Sequence, residues 1–330
     1  MKIVFFSAQT YDKEFFTKFN TQQFTLLFLE TGLNEHTVDL ADGADAVCVF
    51  VNDKVNEAII QKLAAKNIKV IALRCAGFNN VDIHAAKEAG IRVCRVPAYS
   101  PEAVAEHALA MLMTLNRKTH KAYNRVREQN FALNGLLGYN IHGKTVGVIG
   151  TGNIGKAFAR IMLGFGCRVL AFDIIANKDL EALGVEYHPL LEVLKADIIS
   201  LHCPLNDQTQ HMMNEQSFAL MKKGVILINT SRGGLIDTKA VIKALKTGQI
   251  SALGIDVYEQ EEKLFFRDLS ADIIQDDTIQ RLMSFPNVLI TAHQAFFTDE
   301  ALSQIASTTL DNVYQLIKTS NLTTQAALLV

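Results

Sequence analysis

Three side chains that could carry out acid–base chemistry follow apolar runs in the second half of the chain: Arg232, Glu261 and His293. Arg232 comes after the run VILINT, and His293 ends the run NVLITAH. A guanidinium can hold a planar carboxylate through two parallel hydrogen bonds. A histidine beside a carboxylate is favoured in its protonated form, so it can donate a proton to a carbonyl oxygen. We therefore predict a carboxylate-binding arginine and a histidine–glutamate acid–base pair.

Each of these residues also has a structural explanation when it is taken alone. An arginine at a strand end can bridge two loops, and a lone histidine is usually structural. The prediction gains its strength from their occurrence in series after a motif that is typical of cofactor binding.

That motif is GTGNIG at residues 150–155, which a buried strand precedes and a helix follows. Gly150 allows a tight turn, Gly152 lets the backbone approach a pyrophosphate, and Gly155 permits close packing of helix on strand. The N–H groups at the start of the helix, at Asn153 and Ile154, would bind the phosphates. The pattern predicts a dinucleotide site.

An acidic residue follows the motif at the expected distance. The run RVLAFD ends at Asp173, eighteen residues after Gly155, and the next basic residue is Lys178. A carboxylate at this position would bind the adenosine ribose hydroxyls and repel a 2′-phosphate. We therefore predict NAD rather than NADP. A ligand-free strand–helix turn is the alternative explanation of the glycines, and the acidic residue in register argues against it.

Short apolar runs alternate with segments of helical spacing along almost the whole chain, which predicts an α/β fold with two parallel sheets. Ligands of such sheets bind at the carboxyl ends of the strands. Residues that follow strands of the second series are therefore expected to border the cofactor: Cys203, Pro204, Thr230, Ser231 and Asp256.

Three further segments carry structural predictions. FTLLFLE is predicted to be a buried strand of the first sheet. A long helical stretch is predicted from residue 101 to about residue 130, with a buried apolar first half and an exposed charged second half. Residues 258–286 are predicted to be irregular, before a last strand and a terminal helix from Thr298.

Composition excludes several classes of protein. The formal net charge of −2 offers no basis for binding nucleic acid or an anionic membrane, and the apolar runs are too short to span a bilayer. The five cysteines are widely spread, with no CxxC pair and no spacing that suits a metal. They are expected to be buried, reduced thiols in a cytoplasmic protein.

The order of the motifs GTGNIG, HCPL, NTSRGGLID, GIDVYEQE and TAHQAF resembles that of the D-isomer-specific 2-hydroxyacid dehydrogenase family, over essentially the whole chain. The resemblance implies that Arg232 binds the substrate carboxylate and polarises the carbonyl. It also implies that Glu261 pairs with His293, which acts as the acid and base.

Within the family, RCAGFNNVD, VPAYSPEAVAEHALAM and HQAFFT are similar to the D-lactate dehydrogenase branch. This similarity implies that the backbone around Ala76 and Gly77 receives the substrate carboxylate, and that Tyr99 and Phe297 shape a small pocket. The branch often has a tyrosine near the final motif, where this chain has Phe296 and Phe297.

The resemblance implies a Rossmann NAD-binding domain at residues 101–298, inserted into a flavodoxin-like substrate domain made of residues 1–100 and 299–330. The chain would pass twice between the two domains, and these two connections would form a hinge with the active site in a cleft. The expected reaction is the reversible reduction of pyruvate to D-lactate by NADH, in a fermentative, cytoplasmic homodimer or higher homo-oligomer.

Two alternatives remain at this point. The first is a dehydrogenase for a bulkier D-2-hydroxy acid, because pocket volume is poorly readable from sequence. The second is an NAD-sensing relative without enzymatic activity, against which the complete set of Arg232, Glu261 and His293 argues.

Overall fold

A computed structural model describes residues 1–319 and 322–330 of the chain. Two compact units are present. The terminal unit consists of Met1–Ser100 and Phe297–Val330, and the central unit consists of Pro101–Phe296. Each unit contains one sheet, and every strand pair described in either sheet is parallel, which confirms the predicted α/β class.

The strands in chain order are β1 (Lys2–Phe5), β2 (Thr25–Phe28), β3 (Ala46–Val49), β4 (Val70–Leu73), β5 (Arg92–Arg95), β6 (Thr145–Ile149), β7 (Arg168–Phe172), β8 (Glu186–Tyr187), β9 (Ile198–Leu201), β10 (Val225–Asn229), β11 (Ile250–Ile255) and β12 (Val288–Ile290). The terminal sheet has the order β2-β1-β3-β4-β5, and the central sheet has the order β12-β11-β10-β9-β6-β7-β8.

The helices in chain order are α1 (Thr10–Lys18), α2 (Glu57–Ala65), α3 (Ile83–Glu88), α4 (Pro101–Arg117), α5 (Thr119–Arg127), α6 (Asn153–Gly164), α7 (Lys178–Ala182), α8 (Leu190–Val193), α9 (Glu215–Leu220), α10 (Thr238–Lys246), α11 (Asp277–Met283) and α12 (Asp299–Lys318). Several helices begin with a side-chain cap, a role that Asn, Asp and Thr commonly fill. The capping residues are Asn56, Asp82, Asn177, Asn214, Asp237, Asp276 and Thr298.

Burial in the sheets follows the position of each strand. The inner strands β3 and β4 are buried at every residue, because helices cover both faces of a parallel sheet. The edge strand β2 instead has residues that alternate between exposed and half-buried. The prediction that this strand is continuously buried was wrong, since its apolar sequence does not reveal that it lies at an edge.

The predicted helical stretch from residue 101 to about residue 130 is confirmed, but it is divided into the two helices α4 and α5. The chain breaks at Lys118, which has a left-handed φ of 51°. The predicted burial is confirmed: α4 buries eight residues, whereas α5 buries none. In the central unit α4 packs on β11, where a side-chain carbon on Gly254 would lie 3.2 Å from Leu115.

The stretch at residues 258–286 is less irregular than predicted. It contains a single-turn 3₁₀ helix at Glu261–Lys263 and the helix α11, which Asp276 caps through the N–H groups of Thr278 and Ile279. The short α11 lacks a long apolar periodicity, but its capping residue is visible in the sequence.

None of the described helices is long and apolar enough to cross a membrane. Within residues 1–319 and 322–330, no group of three or more His, Cys, Asp or Glu side chains is arranged to hold a metal ion. All five cysteines are buried free thiols, as predicted.

Candidate active site

The glycine-rich loop connects β6 to α6, and two of its glycines are required by the protein's own packing. Gly150 has a φ of 90°, and a side-chain carbon on it would lie 2.5 Å from the Cys203 nitrogen. A side-chain carbon on Gly155 would lie 1.9 Å from the Gly150 carbonyl oxygen. The first glycine therefore makes the turn, and the last lets α6 lie against it.

Gly152 differs from the other two, because a side-chain carbon on it would meet no atom of the described residues within 4 Å. It caps α6 without a side-chain hydrogen bond. The N–H groups of Asn153 and Ile154 find no acceptor among the described residues. The loop thus presents open space and unpaired donors at a helix N-terminus, which fits the pyrophosphate of a dinucleotide.

Asp173 follows β7 and is tied to the same loop. Its Oδ2 accepts hydrogen bonds from the Thr151 N–H at 2.5 Å and from the Thr151 hydroxyl at 3.0 Å. The Tyr187 hydroxyl in turn donates to Thr151 Oγ1 at 2.9 Å. Among the described residues, Oδ1 accepts a single long bond, 3.4 Å, from the Ile175 N–H. One carboxylate oxygen therefore braces the loop, and the other can accept from a ribose hydroxyl.

The residues after β9 and β10 lie beside the loop and beside each other. Cys203 is 8% exposed, and burial raises the pKa of its thiol to about 11, so it remains a neutral thiol. Its carbonyl accepts a 2.6 Å hydrogen bond from the Ser231 hydroxyl. Pro204 is exposed, and the Thr230 hydroxyl is buried without a partner in the described part of the chain. An orphaned buried hydroxyl is consistent with a ligand contact.

Arg232 is held at the C-terminal end of β10 by a buried asparagine. Asn229 has no exposed surface; its Nδ2 donates to the Arg232 carbonyl at 2.9 Å, and its Oδ1 accepts from the Ser231 N–H at 3.0 Å. The Arg232 guanidinium donates only to the Ser231 carbonyl, at 2.7 Å, and pairs with no carboxylate among the described residues. It is partly exposed, so its remaining donors can take an anion.

A glycine joins the arginine turn to the loop that carries Glu261. A side-chain carbon on Gly233 would lie 2.1 Å from the Tyr258 carbonyl carbon. Only glycine permits this close approach, which fixes the backbone of Tyr258 against the turn after Arg232.

Glu261 and His293 form the predicted pair. Glu261 Oε1 lies 2.8 Å from His293 Nδ1, and Glu261 Oε2 accepts a 2.8 Å hydrogen bond from the Tyr258 N–H. Because a carboxylate only accepts, Nδ1 carries the donated hydrogen. Nε2 has no partner within residues 1–319 and 322–330, and the two side chains are 18% and 20% exposed. The pair therefore presents Nε2 as the position for proton transfer.

The His293 backbone is in a strained conformation that Asp256 supports. His293 has a φ of 53°, and its N–H donates to the Asp256 carbonyl at 2.7 Å. The Asp256 carboxylate, which has no exposed surface, accepts from the Thr291 hydroxyl at 2.5 Å and from the N–H groups of Gln294 and Ala295, both at 2.9 Å. The same carboxylate lies 3.5 Å from His107 Nε2 on α4. It thus holds the segment around His293, and its contact with the cofactor stays a prediction.

Four of the predicted substrate residues belong to the terminal unit. Ala76 and Gly77 follow β4, and neither N–H finds an acceptor among the described residues. Tyr99 is half-buried. Phe297 is 51% exposed, and the Tyr11 ring contacts it edge-on at a centroid distance of 4.9 Å.

Sequence reasoning missed residues that position the site without carrying its chemistry. Asn229, Thr151 and Tyr187 are the main examples. Asn229 had a signal, because a polar residue ends the otherwise apolar strand VILIN. No sequence pattern pointed to Tyr187, because it lies on the two-residue strand β8 and only folding brings it to Thr151.

The comparisons with known proteins agree with this geometry. Residues 109–295 match the family model described as D-isomer specific 2-hydroxyacid dehydrogenase, NAD binding domain. A 2-hydroxyacid dehydrogenase homolog of Schizosaccharomyces pombe is 56% identical over 97% of this chain and 98% of its own. The D-lactate dehydrogenase of Escherichia coli is 52% identical over 96% of this chain and 97% of its own.

Solved structures extend the likeness to the whole fold. The apo-structure of the Escherichia coli D-lactate dehydrogenase superposes with a TM-score of 0.91 and covers 100% of both chains at 49% identity. A D-lactate dehydrogenase of Aquifex aeolicus complexed with NAD and lactic acid has a TM-score of 0.85 and 37% identity, covering 96% of this chain and 95% of that chain. With the nucleotide loop and the histidine–glutamate pair in place, the chain belongs to the D-isomer-specific 2-hydroxyacid dehydrogenase family and is an NAD-dependent oxidoreductase.

Proposed function

We propose that the enzyme reduces pyruvate to D-lactate with NADH, and that the reaction is reversible. The observation that carries the proposal is the 2.8 Å contact between Glu261 and His293 Nδ1, which leaves Nε2 as the proton donor. Relatives that are about half identical in sequence and are named D-lactate dehydrogenase support the choice of substrate.

The chain's own residues divide the work. NADH, when bound, supplies the hydride that arrives at C2 of the keto acid. Arg232 holds the substrate carboxylate bidentately and polarises the carbonyl, and the N–H groups of Ala76 and Gly77 add donors for the carboxylate. His293 Nε2–H protonates the carbonyl oxygen, and the Glu261 carboxylate stabilises the protonated ring. In the reverse direction neutral His293 accepts the proton from the hydroxyl.

Substitutions of the central residues test these roles. His293→Ala should reduce the rate of pyruvate reduction by about 100-fold or more, because general acid catalysis contributes roughly 10²–10⁴. Arg232→Lys should raise KM for pyruvate and lower kcat, since a lysine cannot form the two parallel hydrogen bonds. Near-wild-type turnover in His293→Ala would rule out the acid–base assignment, and unchanged kinetics in Arg232→Lys would remove that arginine from the site.

The substrate is settled by side-by-side kcat/KM values for pyruvate, 2-ketobutyrate and phenylpyruvate. A small pocket bordered by Tyr99 and Phe297 should give the highest value with pyruvate and the lowest with phenylpyruvate. A preference for phenylpyruvate would favour the alternative, a dehydrogenase for bulkier D-2-hydroxy acids. The stereochemistry of the lactate formed is checked on a chiral column.

The NAD contacts are proposed from the loop and from Asp173. Gly152 and the N–H groups of Asn153 and Ile154 would bind the pyrophosphate, and Asp173 Oδ1 would bind the ribose hydroxyls. Asp173→Ala should raise NADPH turnover relative to NADH turnover, because the charge that repels a 2′-phosphate is removed. Asp179→Ala, which removes an exposed carboxylate of α7, is the control and should leave the ratio unchanged. No gain in relative NADPH use by Asp173→Ala would contradict the assignment.

We also propose a cytoplasmic homodimer or higher homo-oligomer. Large apolar side chains on α5 and the segment after it are exposed by 50–88%, which is typical of an interface rather than of a solvated surface. They are Tyr123, Val126, Phe131, Leu133 and Leu137. Sedimentation of the wild type and of Leu137→Glu measures the association; a wild type that sediments as a monomer would refute the proposal.

A further inference from the structure

We propose that Arg95 is a positioning residue for the substrate carboxylate, because its guanidinium fixes and polarises the peptide between Ala76 and Gly77. This inference rests on the proposed function, in which the Gly77 N–H is a donor to the carboxylate. Arg95 does not itself touch the substrate in this proposal; it acts through the peptide.

The guanidinium of Arg95 lies directly behind this peptide. Arg95 is the last residue of β5, next to β4, and it pairs in register with Leu73. Its Nη1 donates a 2.8 Å hydrogen bond to the Ala76 carbonyl oxygen. That oxygen and the Gly77 N–H belong to the same peptide group. A hydrogen bond at one end of the group therefore determines where the other end points.

The peptide is trans, like every peptide bond described in the chain. In a trans peptide the C=O and N–H bonds point in opposite directions. With the carbonyl oxygen bound to Arg95, the Gly77 N–H must point away from the guanidinium. This N–H has no acceptor among the described residues. Arg95 thus prevents a peptide flip that would turn the carbonyl oxygen, instead of the N–H, toward an incoming carboxylate.

The charge of Arg95 adds to this orientation. No carboxylate pairs with Arg95 in the part of the chain that the structure describes. A charged donor on a carbonyl oxygen draws electron density from the peptide and makes its N–H a stronger donor, because hydrogen bonds in a chain polarise one another. The cation also favours an anion on the far side of the same peptide.

The side chain of Arg95 is held in place on other sides as well. Its guanidinium carbon lies 5.0 Å from the centroid of the Phe78 ring, in the same loop. Its Nε donates a longer bond, 3.4 Å, to the Ala326 carbonyl. The loop itself is closed by a hydrogen bond from the Val96 N–H to the Cys75 carbonyl at 3.2 Å. Arg95 therefore contacts both the carbonyl and the aromatic ring of the loop that it orients.

Arg92 provides a matched control at the other end of the same strand. It is also half-buried, and its guanidinium also donates to a backbone carbonyl, that of Leu316, at 3.3 Å. It makes no contact with residues 75–78 in the hydrogen bonds described. Arg95→Met and Arg92→Met thus remove the same charge from the same strand. Each also removes one long hydrogen bond to a backbone carbonyl, that of Ala326 or Leu316, but only Arg95→Met releases the Ala76 carbonyl as well.

The test measures kcat and KM of both variants and of Arg95→Lys for pyruvate, methyl pyruvate and NADH. Arg95→Met should raise KM for pyruvate by about 5- to 20-fold, with kcat and KM for NADH within about twofold of wild type. Its preference for pyruvate over uncharged methyl pyruvate should fall by a similar factor. Arg92→Met should match wild type, and Arg95→Lys should recover part of the loss because it keeps a charged donor.

Oxamate titration by calorimetry, with NADH present, repeats the comparison without turnover. Weaker oxamate binding in Arg95→Met than in Arg92→Met would support the proposal. Equal values for the two variants would overturn it, as would equal losses with pyruvate and methyl pyruvate, which indicate a general structural defect. A wild type that neither reduces pyruvate nor binds oxamate would refute the proposed function, and the inference with it.

Discussion

Asp256 offers the sharpest test of how His293, the proposed acid–base residue, is held. Its buried carboxylate accepts three hydrogen bonds from the segment around His293, and its backbone carbonyl accepts the His293 N–H. Asp256→Ala removes the carboxylate but keeps the backbone bond. We expect the His293 segment to lose its left-handed φ of 53° and the ring to leave its contact with Glu261.

The size of the effect follows from the groups left behind. The substitution orphans the N–H groups of Gln294 and Ala295, whereas the Thr291 hydroxyl keeps its 3.1 Å contact with His107 Nε2. A buried donor without a partner costs about 1–3 kcal/mol. Water that enters the vacated space satisfies part of these two N–H groups, so we expect this segment to lose about 2–5 kcal/mol of stability. Release of the strained backbone should lower kcat by about 10- to 100-fold, since misplacement by about 1 Å can cost 10²-fold.

The assay combines steady-state kinetics with hydrogen exchange of the Gln294 and Ala295 amides. Thr291→Val removes the hydroxyl that contacts both the Asp256 carboxylate and His107 Nε2, and it serves as the graded control. A loss of about 2 kcal/mol is expected for these two hydrogen bonds. KM for NADH should change less than kcat, because the carboxylate is fully enclosed by its protein partners. If kcat stayed at the wild-type value while KM for NADH rose, Asp256 would act on the cofactor and the reasoning would fail.

Acid stability tests the same carboxylate independently. Burial acts to raise the pKa of Asp256, but hydrogen bonds from His107, Thr291 and the Ala295 N–H hold the pKa below its usual value. The unfolded chain therefore takes up this proton first as the pH falls. The stabilisation is present above the unfolded pKa of about 3.9 and is lost below it. Asp256→Asn should accordingly show a flatter decline of stability below about pH 4.

Three further substitutions test other parts of the structure. Glu261→Gln should lower kcat/KM for pyruvate by about 10- to 100-fold, because a neutral amide no longer balances the protonated His293 ring; equality with the neighbouring Glu262→Gln would contradict this. Asp12→Asn leaves the buried Arg74 guanidinium, 3.1 Å away, without its carboxylate. The free energy of unfolding of the terminal sheet, measured by hydrogen exchange, should fall by about 3–5 kcal/mol. Protection at the wild-type level would refute the argument. Burial lowers the pKa of His202 to about 3. The free energy of unfolding of the wild type, measured with urea, should therefore fall by up to about 1.4 kcal/mol per pH unit below about pH 6.5. His202→Phe should remove that slope.

The α/β class and most strands were predictable from local sequence. Apolar runs such as AVCV and VIAL became strands that are buried at every residue, because a parallel sheet covered on both faces needs no polar side chain. The glycine loop was also predictable from its local pattern, although the close approach of Cys203 to Gly150 is a tertiary contact. Helix breaks were less visible: nothing in the periodicity of residues 101–130 predicts the left-handed turn at Lys118.

The residue types and their order along the chain determined the chemistry of this protein. A dinucleotide loop, an acidic residue after the next strand, and an arginine, a glutamate and a histidine in series were sufficient to predict an NAD-dependent dehydrogenase. The tertiary structure decided which atoms meet. Glu261 Oε1 contacts His293 Nδ1, and the buried Asp256 carboxylate accepts a hydrogen bond from the Ala295 N–H, close to His293. The tertiary structure also placed Arg95 behind the peptide of Ala76 and Gly77. Contacts between residues 19 to 39 positions apart depend on strand register and loop closure, which no local pattern encodes.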